Sequence, residues 1–409
     1  MTRRLYHLDA YRRECEARVT AVAGPAIALD ETVFYPAVGG QPCDWGRLGG
    51  LPVRDVREED GDVWHVLEET ATAPPVGARV AGVLDWDRRF DHMQQHTGQH
   101  ILSQAFAQTL GAQTDSVHMG TTCTLDLALA ALNPEGIARA EDLANAVVME
   151  NRAVTTREVD VDDAQALGLR RPPKQKGLVR VVEVTGFDRS ACGGTHVRAT
   201  GEVGPIVVRG WQRYKGGARV EFLCGWRALR DYRRTHGLVQ DLAGRLTVGE
   251  GELTDAVVRL GERARDLERD LDDARTRLLD HEAEGLLAAG LSATGFQEAA
   301  GPGSTPVVAA AFTGRSIDEL RALARAVTAR RACLAIFATE PDHRLVVTRS
   351  PALAIDASAI LRETLSSFNG RGGGRPEAAE GIAAAAPSAS AVVDAARAVA
   401  VRHLGPSRG

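Results

Sequence analysis

The sequence predicts an α+β protein in four segments. These are a glycine-rich, β-barrel-like subdomain (1–85), an α+β domain with a mostly antiparallel sheet (86–225), a helical hairpin (226–288) and a C-terminal α/β domain (289–409). Three observations carry this. Apolar residues alternate at period two between glycine turns in the first segment. Capped helices and β-like runs then intermingle. From Trp226 the pattern turns to helical spacings of three and four, before strand and helix signals return. A chain of 409 residues also exceeds one ordinary core.

In the first segment, Val19 and Ala21, then Ile27 and Leu29, alternate with other residues. Asp60-Gly61, between Val53/Val56 and Val63/Val66, predicts a hairpin, and Gly39-Gly40 and Gly49-Gly50 add turns. A helix is expected from an N-cap near Asp87 to Gly111. A second is expected from Asn133-Pro134 to about Arg152. Strands are expected at Thr122–Leu127, Val154–Val159, Leu178–Val184, Val203–Val208 and Ala218–Leu223. Leu238, Leu242 and Leu246 form one stripe. After a glycine break, Leu253, Val257, Leu260, Ala264, Leu267, Leu271, Ala274 and Leu278 keep a heptad seam. An intrachain hairpin is favoured, and a homodimer through the helical or C-terminal region stays open. Past Gly301-Pro302-Gly303 come strand Pro306–Phe312, helix Ile317–Ala329, strands Cys333–Ala338 and Arg344–Val347, helix Ala357–Phe368, a glycine loop Gly370–Pro376 and a last helix Ala391–His403.

Composition narrows function. The chain is 44% hydrophobic and 25% charged with a net charge of −5, which argues against a generally basic nucleic-acid binder and leaves room for a local basic path. The six cysteines lack disulfide-like spacing, the N-terminus is polar, and no stretch is apolar enough to span a bilayer, so a reduced, cytoplasmic setting is expected.

The chemistry gathers in two clusters, His96-Thr97-Gly98-Gln99-His100 and Cys192-Gly193-Gly194-Thr195-His196. Histidines four apart on a helix share a face. Three imidazoles and a thiolate are a donor set that suits Zn2+. Thr97 stands where a metalloprotease HExxH would need Glu, so that class is not supported. Four protein ligands usually mean a structural zinc, and the spacing alone leaves a structural and a catalytic site open.

HTGQH and CGGTH resemble the zinc motifs of alanyl-tRNA synthetase editing domains and the stand-alone AlaX editing proteins. The run Phe34-Tyr35-Pro36-Ala37-Val38-Gly39-Gly40-Gln41-Pro42 resembles that family's FYPEGGGQP loop, with Ala37 and Val38 replacing its Glu and first Gly. Asp91-His92-Met93-Gln94-Gln95 resembles the bacterial AlaX form, and Gly370–Pro376 resembles the GGxGGGRP motif of the synthetases' DHH-associated domain. The resemblance implies zinc held by His96, His100, Cys192 and His196, and hydrolysis of tRNA(Ala) charged with a wrong amino acid, serine or glycine. It also implies no tRNA charging, since about 30 residues precede the loop.

On that basis Thr97, His118 and Gln41 are expected at the reacting centre, with Gly39 and Gly40 as a substrate wall. Lys174, Lys176, Arg213, Lys215, Arg371 and Arg375 are expected to contact tRNA. The competing expectation is a non-catalytic tRNA-binding protein with a structural zinc. A phosphoesterase is ranked last, because the chain has no Asp-His-His motif.

Overall fold

Residues 1–68, 72–129, 131–172, 177–292 and 306–404 are described by a computed structural model. The chain is mixed α+β and divides into two compact units, Met1–Glu250 and Gly251–Gly409.

In the first unit, strands Glu14–Ala23, Ala26–Leu29, Asp62–Leu67, Leu51–Glu59, Gly46–Leu48 and Arg79–Leu84 pair in that order. Arg79–Leu84 returns to Glu14–Ala23 and closes the ring. Alternation explains its core: Cys15, Ala17 and Val19 point inward from one strand, against Val53, Val56 and Leu67 from others. Asp60-Gly61 makes the predicted turn, both residues at positive φ.

The helix Trp86–Leu110 is capped two residues earlier than expected. Asp85 rather than Asp87 accepts the Arg88 N–H at 3.2 Å, and Gly111 ends the helix in the left-handed conformation. Its middle is buried nearly all round, so polar side chains on it must find partners. Gln95 exchanges two hydrogen bonds with the Cys224 backbone, at 2.9 and 3.0 Å. Arg89 is fully buried, pairs with the fully buried Asp44 and donates to the Val33 carbonyl at 2.6 Å, which ties the helix to the N-terminal strands. The second helix is Pro134–Met149, capped by Asn133 as expected and ending three residues earlier.

Two antiparallel sheets flank these helices. One runs Ile206–Tyr214, Gly217–Cys224, Cys123–Leu127, Thr114–Met119; the other Val154–Asp160, Leu178–Val184, Asp188–Ala191. Thr114–Met119 and Asp188–Ala191 were not expected, because polar residues outnumber apolar ones in both. The expected Val203–Val208 strand starts at Ile206, after a short 3-10 turn at Thr200–Val203. Helix Gly225–Leu246 closes this unit and stops at Thr247, which is left-handed.

In the second unit, one 40-residue helix spans Leu253–Ser292. Its seam residues Val257, Leu260, Leu267, Leu271 and Leu278 are exposed. A five-stranded sheet runs Val307–Thr313, Leu334–Glu340, Arg344–Arg349, Ala378–Ile382, Arg371–Arg375, its first pair parallel and the rest antiparallel. Residues 335 and 337 face helix Ile317–Arg330, while 334, 336 and 338 face helices Ala357–Ser366 and Ala389–Leu404. The glycine run expected as a loop is the edge strand Arg371–Arg375, paired with Ala378–Ile382. The expected Gly301–Gly303 loop lies outside the described residues.

Candidate metal centre

His96 and His100 sit one turn apart on the buried part of helix Trp86–Leu110, their ring centroids 5.3 Å apart. Cys192 and His196 come from the loop that follows strand Asp188–Ala191. One ligand atom from each of the four lies within 4.8 Å of every other. Cys192 Sγ is 3.2 Å from His96 Nε2 and 3.4 Å from His196 Nε2. The sequence-predicted quartet is therefore brought together, as a set that could hold a metal ion and is compatible with zinc.

Each imidazole is held from behind through Nδ1. His96 Nδ1 meets Gln41 Oε1 at 2.8 Å, His196 Nδ1 meets Thr97 Oγ1 at 3.1 Å, and His100 Nδ1 meets Asp188 Oδ2 at 3.3 Å. Gln41 Oε1 also accepts the Thr195 N–H, and its amide donates to Thr195 Oγ1. Thr97 Oγ1 also accepts the Val197 N–H. Such partners fix the ring tautomer with Nδ1–H donating, and leave the Nε2 lone pair facing Cys192. His100 Nε2 is buried and has no partner among the described residues.

The loop is clamped. The Arg180 guanidinium donates to the Cys192 and Gly194 carbonyls at 2.9 and 2.7 Å, and the His7 ring meets the Gly193 carbonyl at 3.0 Å. Glycine is required at 194 by close approach: a Cβ there would overlap the His96 ring and sit 2.9 Å from Gln41 Oε1. Gly40, at φ +85°, would place a Cβ 3.1 Å from the Val117 carbonyl, so the N-terminal loop lies against strand Thr114–Met119.

The electrostatics follow from burial and proximity. Burial alone would raise the Cys192 thiol, but His96 and His196 more than offset this and hold it well below the usual thiol range. Burial pulls His196 down to about 3, helped by the neighbouring His96. Burial also acts against the charged form of His100, but the hydrogen bond to Asp188 and the nearby negative charge of Cys192 win and raise it to about 9. Asp188 is paired in turn with Arg170 at 3.0 Å and accepts from Ser190 at 3.0 Å.

A cavity of about 380 Å³ opens beside His100. Gly39, Gln99, Thr114, Ser116, Arg170 and Ser190 are among its walls. Gln99 donates to Ser103 at 2.8 Å, and no described residue donates to its carbonyl oxygen.

The remaining expected site residues scatter. Thr97 and Gln41 are buried behind the histidines, their polar atoms engaged there, and neither lines the cavity. His118 is exposed on strand Thr114–Met119, 4.0 Å from Asp126, and is also outside the cavity wall. Arg213 is exposed near the end of strand Ile206–Tyr214. Lys215 lies in the following turn, 5.2 Å over the Tyr214 ring. Arg371 and Arg375 are exposed on the glycine-rich edge strand of the second unit. Lys174 and Lys176 lie outside the described residues. Arg170, a few residues before them, turns inward to Asp188.

Sequence reasoning missed Asp188, Arg180 and His7. Asp188 had a signal, since residues 188, 190 and 192 alternate onto one face of an extended segment. Arg180 and His7 had none, because their partners are backbone carbonyls.

Comparison with known proteins places these motifs. Residues 179–221, which contain Cys192 and His196, match the threonyl and alanyl tRNA synthetase second additional domain. The alanyl-tRNA editing protein AlaX-L of Pyrococcus horikoshii is 28% identical over 401 residues, covering 95% of this chain and 96% of its own. AlaX-M of Methanosarcina mazei is 36% identical over 233 residues, covering 51% of this chain and 90% of its own. The alanine–tRNA ligase of Pyrococcus abyssi is 30% identical over 402 residues, 93% of this chain but 42% of the ligase.

Proposed function

The chain belongs to the alanyl-tRNA editing protein family, and from that premise we infer a zinc-dependent deacylase that hydrolyses tRNA(Ala) mischarged with serine. The observation that carries this reading is the convergence of three Nδ1-anchored imidazoles and the Cys192 thiol, one of them, His100, lining a half-open cavity.

The donor set fits zinc. Bonds of about 2.0–2.3 Å in a tetrahedron put donors roughly 3.3–3.7 Å apart. The Cys192 separations of 3.2 and 3.4 Å lie close to that range. His100 Nε2 is buried without a hydrogen-bond partner among the described residues, and a metal ion displacing its proton would engage it. His96, His100, Cys192 and His196 would hold the ion, and Gln41, Thr97 and Asp188 would orient the three rings.

When bound, zinc supplies Lewis-acid chemistry, holding the substrate α-amine or polarising the ester carbonyl. The chain's own residues do the rest. The cavity volume is at the small end of ligand pockets, roughly 300–1,000 Å³, which suits one amino acid better than a peptide. A serine hydroxyl has an acceptor in Gln99 Oε1, whereas alanine would leave that oxygen unpaired. Thr97 holds His196 and does not read the substrate. Gly39 lines the cavity, and Gly40 packs beside it against the Val117 carbonyl. Water adds to the ester carbonyl, the carbonyl–O3′ bond breaks, and free serine and uncharged tRNA leave.

Arg213, Lys215, Arg371 and Arg375 remain in the proposal as exposed cations for tRNA phosphate. The exposed seam of helix Leu253–Ser292 keeps a homodimer in it as well, and the solution molar mass tests that part. The deacylase reading is tested with Ser-tRNA(Ala) and Ala-tRNA(Ala): turnover of the first alone supports it, and inertness toward both leaves a binding protein with a structural zinc.

A further inference from the structure

Two cavities flank the contact between the N-terminal loop and strand Thr114–Met119. Gly39, Ser116 and Val117 wall the one beside the metal centre. Pro42 and Gly120–Thr122 wall the other, of about 720 Å³. Five arginines from three elements converge on this second cavity. Arg88 comes from helix Trp86–Leu110, Arg209 from strand Ile206–Tyr214, and Arg227, Arg230 and Arg234 from helix Gly225–Leu246. Spacings of three and four put the last three on one helix face.

Like charges gathered this way repel unless they are answered. Asp91 answers Arg227 at 2.6 Å. Glu221 and Asp231 answer Arg209 at 2.8 and 3.2 Å, and Asp231 also takes Arg234 at 2.7 Å. Among the described residues no carboxylate pairs with Arg88 or Arg230. Arg88 is nonetheless aimed, since it donates to the Cys43 carbonyl at 3.0 Å and stacks 3.9 Å over the Trp45 ring. In the same wall His92 is buried, and its Nδ1 has no partner among the described residues. Two guanidiniums and an imidazole are left for an anion.

We propose that this arginine cavity binds a backbone phosphate of the RNA near its 3′ end. The inference rests on the deacylase reading for the identity of the RNA. The strand sets the distance. Ser116, His118 and Gly120 share one face, and the four residues from the first cavity to the second span about 13 Å. At 3.4 Å or more per nucleotide that is at most about four nucleotides from the ester. A phosphate there registers the terminus so that the charged end enters the metal-centre cavity.

The test uses the full chain with Arg230→Gln, an exposed position that no carboxylate among the described residues pairs with, and then with Arg88→Gln added. Binding of an uncharged tRNA(Ala) acceptor minihelix is measured by anisotropy across a salt series, and hydrolysis is measured on Ser-minihelix and on 3′-seryl-adenosine. One lost phosphate contact lowers the salt slope by about 0.7, which is about fourfold in affinity at 0.15 M salt. The expected result is that loss for R230Q, a larger one for the double variant, a matching fall in kcat/KM on Ser-minihelix, and unchanged turnover of seryl-adenosine. R230Q with wild-type affinity and slope overturns the proposal. So does loss of affinity for inorganic phosphate with RNA binding intact, which assigns the cavity to free phosphate. Failure of the wild type to hydrolyse Ser-minihelix overturns the deacylase reading instead, and the binding arm still reports on the cavity.

Discussion

Replacing Gln41 by Ala separates the ring-orienting role from a catalytic one. The side chain makes three bonds: Oε1 accepts from the His96 Nδ1–H at 2.8 Å and from the Thr195 N–H at 3.1 Å, and Nε2 donates to Thr195 Oγ1 at 2.9 Å. Truncation strands the buried Thr195 N–H, which costs about 1–3 kcal/mol of stability with no metal present. It also frees the His96 ring to turn. Loss of such an orienting partner typically lowers metal affinity about 10–100-fold, or about 1.4–2.7 kcal/mol. Gln41→Glu keeps the carbonyl-like acceptor for both His96 and Thr195, so it should restore most of the zinc affinity. Competition against a chromophoric chelator measures affinity, and thermal melting of metal-free protein measures the stability part. Unchanged zinc affinity in Q41A, within about twofold, would refute the argument that Gln41 fixes a ligand ring.

Three further outcomes are expected. Gly194→Ala should drive the His96 ring off its position and cost at least about tenfold in zinc affinity with the secondary structure intact, as read by chelator competition and circular dichroism. Gln99→Leu should narrow the preference for Ser-tRNA(Ala) over Ala-tRNA(Ala) by about tenfold, the worth of one neutral hydrogen bond, in single-turnover assays. His65 lies fully buried in the N-terminal barrel between Thr32 Oγ1 and the Ile27 carbonyl, and burial lowers its pKa from 6.5 to about 4. The unfolded state then binds the extra proton first, so stability is full above pH 6.5, falls as pH drops toward 4, and totals a loss of roughly 3 kcal/mol. Urea unfolding should show that slope, and His65→Gln should remove only its share, since burial also lowers His7 and His92 to about 4.

The two halves of the metal centre were legible because helical period and loop spacing are local properties: residues 96 and 100 must share a face wherever the helix goes. What the spacing could not tell is which side of each ring a neighbour occupies. Thr97 and Gln41 were expected at the substrate, yet they stand behind His196 and His96, a distinction made by residues about 55 and 100 positions apart in sequence. Glycine at 194 is required by close approach of the His96 ring, and that is a tertiary fact no spacing shows. Strand Arg371–Arg375 was hidden because three consecutive glycines carry no alternating pattern; its pairing with Ala378–Ile382 supplies the order instead. Asp188–Ala191 was hidden by its polar residues, two of which, Asp188 and Ser190, are buried towards His100 and not turned to solvent.

The central claim is that His96, His100, Cys192 and His196 hold one zinc ion that the reaction requires. Metal content and Ser-tRNA(Ala) hydrolysis should be measured together, on protein as purified, after chelation, and after zinc is restored. The account predicts one zinc per chain, loss of hydrolysis on chelation and its return with zinc, with Ala-tRNA(Ala) spared throughout. Hydrolysis at an undiminished rate by a chain shown to contain no zinc would contradict it.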